Sequence, residues 1–390
     1  MRVCLDASPA AQGRGGIGRY AARLAEALAA LPGVELSLLY HGRPAARLTC
    51  PLDRLPARRV RVASKPWRAS LALAYFLRLP LDRVVGPSDV FHATDHVLPP
   101  LRRTPSVFTV HDLAFLVHPE THLWSNRAYL QTMMPRYVAA ATMVIADSEA
   151  TRQDVLSYYR AAPDKVRVVP LGVEPAFSPV PPDRVRAEVA ARHGLDGPYL
   201  LFVGTLEPRK NLVGLLRAYA ALLGRRADTP ALAIAGAAGW EYDETYRFVA
   251  REGLGAHVRF LGRVPDAALP ALYGAATALA YPSLYEGFGL PPLEALACGT
   301  AVVCSNRSSL PEVVSDAALV VDPTDVGALA TALERLLDDE ALRRDLRARG
   351  LARARQFTWE RTAAETLRVF EEAVRRGGRG AGAARRTARN

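Results

Sequence analysis

The sequence predicts an α/β protein made of two doubly wound domains, each a parallel sheet covered by helices on both faces. Three observations carry that prediction. Short apolar, β-rich runs recur along the chain, helical patterns lie between them, and one proline-dense stretch breaks the alternation near the middle. Strands that alternate with helices imply parallel pairing, because the crossover helix returns the chain to the start of the sheet. A sheet covered on both faces in turn needs strands that are apolar throughout.

In chain order the first runs are VCLDAS from Val3, ELSLLY from Glu35, DVFHAT from Asp89, SVFTVHD from Ser106, MVIADS from Met143 and VRVVPLG from Val166. Helical stretches at 18–30 and 149–160 lie among them. The break is LGVEPAFSPVPPDRV, dense in proline from Pro170 to Pro182, and it reads as a linker. The runs then resume with YLLFVGT from Tyr199, ALAIAG from Ala231, HVRFLG from His257, ALAYPS from Ala278, AVVCS from Ala301 and ALVVDP from Ala318, with helical stretches at 211–223 and 326–337. A first domain is expected over 1–174 and a second over 175–357. The 390 residues, half of them apolar, suffice for two cores. Such sheets take ligands at the carboxyl ends of their strands, and two facing sheets point to the cleft between domains.

Composition narrows the function classes. The start of the chain reads as a strand rather than a signal peptide, and no run of about 18 apolar residues is long enough to cross a membrane. Cys4, Cys50, Cys298 and Cys304 lack metal-ligand spacing, so they are expected as reduced, mostly buried thiols in the cytoplasm. The net charge of +11 is uneven: residues 1–180 carry 22 Lys/Arg against 14 Asp/Glu, and 375–390 add six arginines and no acid. That tail, RRGGRGAGAARRTARN, is expected to be disordered. A basic first half suits phosphates, anionic lipid or nucleic acid. An arginine-rich composition with no such partner explains it equally well.

The stretch YPSLYEGFGLPPLEALACGTAVVCS, from Tyr281, carries the chemistry. A strand ends near Ser283. Gly287 and Gly289 let the backbone approach a ligand closely. Pro291 and Pro292 suit the first turn of a helix, and Gly299 suits its end. Amides near Gly289 and Leu290 then point out of a helix N-terminus, an anion site. Glu286 stands before the turn, and Glu294 is expected on the first turn of the helix. Carboxylates beside a phosphate are poor electrostatics unless they bind hydroxyls, so the pattern suggests a phosphate flanked by polyols, as in a nucleotide-sugar. Upstream, Thr205 and Glu207 precede Arg209 and Lys210 at the start of another helix, where adjacent cations suit a diphosphate.

On these residues the sequence resembles family 4 retaining glycosyltransferases. EGFGLPPLE matches their paired-glutamate signature, FVGTLEPRKNL their donor-phosphate motif, GGIGRY their N-terminal glycine loop and TVHDLAFLVHPE their His-Asp segment, in order over about residues 1–373. The resemblance implies the metal-independent GT-B fold, with a helix at about 358–374 packing back on the first, acceptor-binding domain. It implies that Glu286 and His111 meet the transferred sugar, that Glu294 meets the ribose, and that Arg209 and Lys210 hold the diphosphate. Gly15, Gly16 and Gly204 match loops that approach the donor phosphate. Gly287, Phe288, Gly289 and Leu290 form the anion turn, and the backbone at Arg263 and Val264 matches the base-holding segment. Asp112 follows His111, and His92, Asp95 and His96 are candidates for the acceptor side. No cofactor or metal is expected. The donor is a nucleotide-diphosphate sugar, with GDP-mannose favoured because the motifs look most like bacterial mannosyltransferases of polysaccharide assembly. UDP-glucose, UDP-N-acetylglucosamine and dTDP-rhamnose stay open.

The acceptor is expected to be a glycan or polyprenyl-linked hydroxyl, the product α-linked, and nucleic acid no partner. Residues 65–85, KPWRASLALAYFLRLPLDRVV, mix cations with Trp67, Tyr75 and Phe76. They suit either an interfacial helix on an anionic membrane, which would make the protein peripheral at the inner face, or an ordinary packed helix ended by Pro80. Two other functions stay open: a nucleotide-sugar-binding protein without turnover, and a nicotinamide-dependent oxidoreductase on similar domains. The filled catalytic positions argue against the first, and the missing G-x-G-x-x-G spacing against the second.

Overall fold

The computed structural model describes residues 1–387, apart from the side chains of 182–184 and of 379 onward. It divides into two compact units, residues 1–116, 124–172 and 359–390 in one, residues 117–123 and 173–358 in the other. The short segment 117–123 therefore goes with the second unit, although it lies inside the stretch expected for the first domain.

In the first unit the strands are β1 (Arg2–Asp6), β2 (Glu35–His41), β3 (Ala57–Val60), β4 (Val90–Ala93), β5 (Ser106–Val110), β6 (Met143–Ala146) and β7 (Val166–Val168). Their order in the sheet is β3-β2-β1-β4-β5-β6-β7, all parallel. β4, β5 and β6 are buried along their whole length, as the apolar runs require. β3, with the sequence ARRV, is a short and half-exposed edge strand. Its two arginines hide it from an apolar-run reading and also guard the edge against stray pairing. The C-terminal helix Trp359–Thr387 covers one face, with contacts to β4, β5 and β6.

The second unit holds β8 (Tyr199–Val203), β9 (Ala231–Ala235), β10 (Val258–Gly262), β11 (Ala278–Tyr281), β12 (Ala301–Ser305) and β13 (Leu319–Val321), in the order β10-β9-β8-β11-β12-β13 and again parallel. Helices Leu212–Arg225 and Val326–Asp338 pack on each other and match the apolar periodicity of the sequence. Proline-dense residues 169–181 form neither helix nor strand.

Two expectations need correction. The tail from 375 does not start as disorder, because the last helix continues through it to Thr387. Arg376 fastens that stretch by pairing with Glu372 at 2.8 Å and Asp164 at 3.0 Å. Residues 388–390 of that expected tail lie outside the described residues. Residues 65–85 are not one helix either: helix Ser64–Phe76 ends at Leu77, and Arg78, with φ of 55°, turns the chain before Pro80. Cys4, Cys298 and Cys304 are buried free thiols and Cys50 is an exposed one. Among the described residues no helix is long and apolar enough to cross a membrane.

Candidate functional site

In the second unit the winding reverses between β8 and β11, and open α/β sheets bind ligands outside the carboxyl ends of the strands at such a point. Two loops leave the sheet there, residues 204–211 after β8 and 282–289 after β11. Hydrogen bonds zip them together. Leu284 N donates to Arg209 O at 2.9 Å, and Arg209 Nη1 donates to Tyr285 O at 2.7 Å. Asn211, held at φ 55°, donates its Nδ2 to Pro282 O at 3.2 Å and to Pro323 O at 2.7 Å, tying in the end of β13. Asparagine tolerates that left-handed backbone better than most residues.

Glu286 is the hub of these loops. Its Oε1 accepts from Lys210 Nζ at 2.6 Å, Ser283 Oγ at 2.6 Å and Tyr281 Oη at 2.9 Å, and its Oε2 accepts from Arg209 Nη1 at 3.0 Å. Arg209 also forks onto Glu207 Oε1 through Nε at 3.1 Å and Nη2 at 2.7 Å. Burial pushes the Glu286 carboxyl up, but the adjacent Arg209 and Lys210 charges outweigh it and hold the group at about 2. Burial pulls Lys210 below its ordinary value against the pull of Glu286. Two cations thus face two carboxylates with little exposure to solvent. An incoming anion must compete with Glu286 for Arg209 and Lys210.

The turn that follows is built as expected. Gly289 has φ of 109°, and a Cβ there would lie 2.6 Å from Leu310 Cδ2, so only glycine fits without a shift. Helix Leu290–Cys298 begins immediately, with Pro291 and Pro292 at its start. Those prolines have no N–H, which leaves the amides of Gly289 and Leu290 to face an anion at the positive end of the helix. Ser309 Oγ donates to Glu286 O at 2.9 Å and Phe288 O at 2.7 Å, and Glu286 N donates to Ser308 Oγ at 2.8 Å, so the turn around Gly287 is braced from below. Glu294 is one turn further into the helix than expected. It is buried, and its Oε2 accepts from Tyr273 Oη at 2.9 Å. Gly204 follows β8, and a Cβ added to it would lie 3.4 Å from Phe202 Cζ. Arg263 and Val264 follow β10 at the edge of the sheet, the first exposed and the second buried. Among the described residues no group of three or more His, Cys, Asp or Glu side chains is placed to hold a metal ion.

In the first unit the expected His111 is buried and both ring nitrogens are engaged. Nδ1 meets Asp147 Oδ2 at 2.6 Å and Nε2 meets Thr94 O at 2.8 Å. Thr94, His111 and Asp147 follow β4, β5 and β6, so the imidazole clamps three adjacent strand ends. Burial disfavours its charged form, but the Asp147 charge and the two hydrogen bonds win and raise it to about 9. Both nitrogens then donate. Asp95 pairs with Arg14 and with His96 Nδ1 at 3.1 Å. His92 does not line any opening: it is fully buried in β4, bonded to Thr109 Oγ1 at 2.8 Å and set edge-on against Phe370 of the C-terminal helix. The strand alternation that turns it to that face was not weighed in the sequence. Asp112 Oδ1 accepts from Ala114 N at 3.0 Å. Gly15 and Gly16 open helix Gly15–Ala29, and a Cβ added at either would meet nothing within 4 Å.

Sequence reasoning passed over Asp147, Tyr281, Ser283 and Tyr273. Asp147 stands next to last in the MVIADS run, as His111 does in SVFTVHD, a signal that was available.

Comparison with known proteins places this geometry. The family model for glycosyl transferases group 1 matches residues 185–353, and that for glycosyltransferase family 4 matches residues 14–177. An O-antigen chain mannosyltransferase B of Escherichia coli is 33% identical over 386 residues, covering 95% of this chain and 100% of that protein. A D-inositol 3-phosphate glycosyltransferase of Salinispora tropica is 41% identical over 255 residues, 61% of this chain and 52% of its own length. Among solved structures, sucrose-phosphate synthase from Thermosynechococcus elongatus superimposes with a TM-score of 0.76 at 23% identity, over 95% of this chain and 98% of that one. WaaG, a glycosyltransferase involved in lipopolysaccharide biosynthesis, gives 0.70 at 20% identity, over 95% and 99%.

Proposed function

The chain belongs to the glycosyltransferases of group 1 and family 4, with a GT-B fold of two Rossmann-like domains, and from that premise we propose that it is a retaining hexosyltransferase. It moves a mannosyl group from GDP-mannose to a glycan or polyprenyl-linked hydroxyl and forms an α-linkage. The observation that carries the reading is the pairing of Arg209 and Lys210 with Glu286 at the β8/β11 switch point, beside a helix N-terminus. Membership in this family sets aside the nicotinamide oxidoreductase.

In this reading the donor diphosphate takes over Arg209, Lys210 and the amides of Gly289 and Leu290. Glu286, released from the cations, turns its oxygens to the sugar hydroxyls. The bond between C1 and the phosphate oxygen breaks as the acceptor oxygen bonds to C1 on the same face. The departing phosphate takes the acceptor's proton, so atoms and charge balance without a separate base. Fixed positive charge aimed at the leaving group is commonly the largest catalytic term, and here it stands in for a divalent metal. Glu294 holds the ribose, and the backbone at Arg263 and Val264 the base. Gly287 and Phe288 shape the turn, and Gly204 keeps room for the phosphates. His111, with both nitrogens spent, acts by positioning the strand ends. The similarity to an O-antigen chain mannosyltransferase supports mannose and polysaccharide assembly. Incubation with a panel of nucleotide-sugars, following nucleoside diphosphate release, tests the donor. GDP-mannose should be turned over fastest, and release from none of the panel would overturn the reading.

A further inference from the structure

Nine large apolar side chains stand prominently exposed among the described residues, and four of them fall within seven residues: Leu73 at 58%, Phe76 at 59%, Leu77 at 57% and Leu79 at 51%. Helix Ser64–Phe76 buries Trp67, Leu71 and Ala74 toward the sheet, at the i, i+4, i+7 spacing of an inner face. Leu73, Phe76 and Leu77, at i, i+3 and i+4, make a second apolar stripe on another side. One apolar stripe is what folding requires of a surface helix, and a second needs another cause. Trp67 and Tyr75, the aromatics expected at an interface, are not on this patch. Trp67 packs on Leu71 and Val97, and Tyr75 on Tyr137 in the core.

The chain end of the helix shapes the patch. Arg78 turns at φ 55°, Leu79 N donates to Ala74 O at 2.8 Å, and Leu79 is thereby presented beside Leu77. Cations ring it. The Arg136 guanidinium lies 4.9 Å from the Phe76 ring centre, and Arg102 Nη2 donates to Arg78 O at 3.0 Å. Arg78, Arg102, Arg103 and Arg136 are all exposed. From Arg61 to Leu81 there are four cations and no acid. The nearby Asp82 accepts from the amides of Arg102, Arg103 and Thr104, at 3.1, 2.8 and 3.0 Å.

We propose that the apolar patch Leu73–Phe76–Leu77–Leu79, with the arginines around it, seats the protein on an anionic lipid bilayer. Apolar side chains ringed by cations, with no exposed acid among them, fit the acyl–headgroup boundary of such a surface. A second copy of this chain fits poorly, because a two-fold contact would set the arginine ring against itself. The proposal rests on the reading of a lipid-linked acceptor, and the two fail separately, since vesicle binding needs no substrate.

The test is co-sedimentation of the full chain with phosphatidylglycerol-containing vesicles and with phosphatidylcholine vesicles. Binding should favour the anionic vesicles and fall away at 1 M salt, where the Debye length shrinks to about 3 Å. Phe76→Gln with Leu77→Gln and Leu79→Gln should weaken it roughly a hundredfold, taking about fivefold for each partly buried side chain. Arg102→Gln with Arg103→Gln should cost roughly 25-fold, about fivefold per cation. Both variants should melt with the parent and release nucleoside diphosphate at the parent rate with a water-soluble acceptor. Equal binding to both vesicle types would overturn the proposal. Undiminished binding by the triple variant would too, because the attachment would then lie elsewhere, as on the arginine-rich C-terminus. A parent dimer that the triple variant dissolves would give the patch to a second copy instead.

Discussion

Replacing Glu286 by glutamine separates two roles that the structure superimposes on one side chain. The side chains of Glu286, Arg209 and Lys210 are only 9%, 13% and 10% exposed, so removing the carboxylate charge leaves two buried cations with Glu207 alone to balance them. Removing one partner of a buried ion pair costs about 3–5 kcal/mol, and glutamine, which still accepts from Tyr281 and Ser283, belongs at the lower end. A loss of about 3 kcal/mol lowers the Tm of a unit this size by roughly 6–12 °C. Adding a nucleoside diphosphate reverses the deficit. Its phosphates supply the missing charge, and they no longer compete with a carboxylate for Arg209 and Lys210. Calorimetry should therefore show a larger ligand-induced rise in Tm for Glu286→Gln than for the parent. Isothermal titration should give affinity between unchanged and about tenfold tighter, while transfer is nearly abolished. Each opposing unit charge near the phosphates is worth about 4 kcal/mol at 4 Å and an effective dielectric of 20, most of it screened by the partners that remain. A variant as stable as the parent, or one that binds the diphosphate more weakly, would refute the assignment of the two cations to the diphosphate.

Three further outcomes follow from the same geometry. Arg209→Ala and Lys210→Ala should each lower kcat by roughly 10²–10³, the scale of losing one preorganised charge-stabilising donor, as read from steady-state kinetics at saturating donor. Glu294→Gln should weaken nucleoside diphosphate binding in a titration while leaving the sugar specificity of any residual transfer unchanged; full affinity would remove Glu294 from the ribose. The His111 pair makes stability depend on pH. Its folded value of about 9 lies above the ordinary 6.5, so its contribution is complete below about 6.5 and is lost as pH rises through 9. That contribution is up to about 3 kcal/mol. Thermal melts from pH 6 to 10 should fall more steeply for the parent than for His111→Asn, and parallel curves would show that the imidazole is not charged.

Much of the fold was legible because burial on both faces writes itself into composition. Runs such as MVIADS and YLLFVGT can only be inner strands, and the prolines of 169–181 could hardly be anything but a connection. β3 was missed because an edge strand is selected for charge rather than apolarity, and Arg58 and Arg59 serve that purpose. The C-terminal stretch misled for the opposite reason. Its composition suits disorder, but the helix continues through it, and there Arg376 pairs with Asp164, more than two hundred residues away. At the site, residue type and spacing sufficed to gather Glu286, Arg209, Lys210 and Gly289 around one loop pair. They did not reveal that the Glu286 oxygens are already spent on the two cations, since which acid faces which base depends on how the loops after β8 and β11 zip. Nor did they reveal Asp147, whose importance comes from the register that puts β5 beside β6.

The central claim is metal-independent transfer with retention from a nucleotide-sugar. It is tested most directly by proton NMR of the product formed from GDP-mannose and a mannose-terminated acceptor in the presence of EDTA. The account predicts GDP release coupled to a new mannosyl residue in the α configuration from the first turnovers, at a rate EDTA does not change. A β-linked product, or activity that EDTA abolishes and a divalent metal restores, would contradict it.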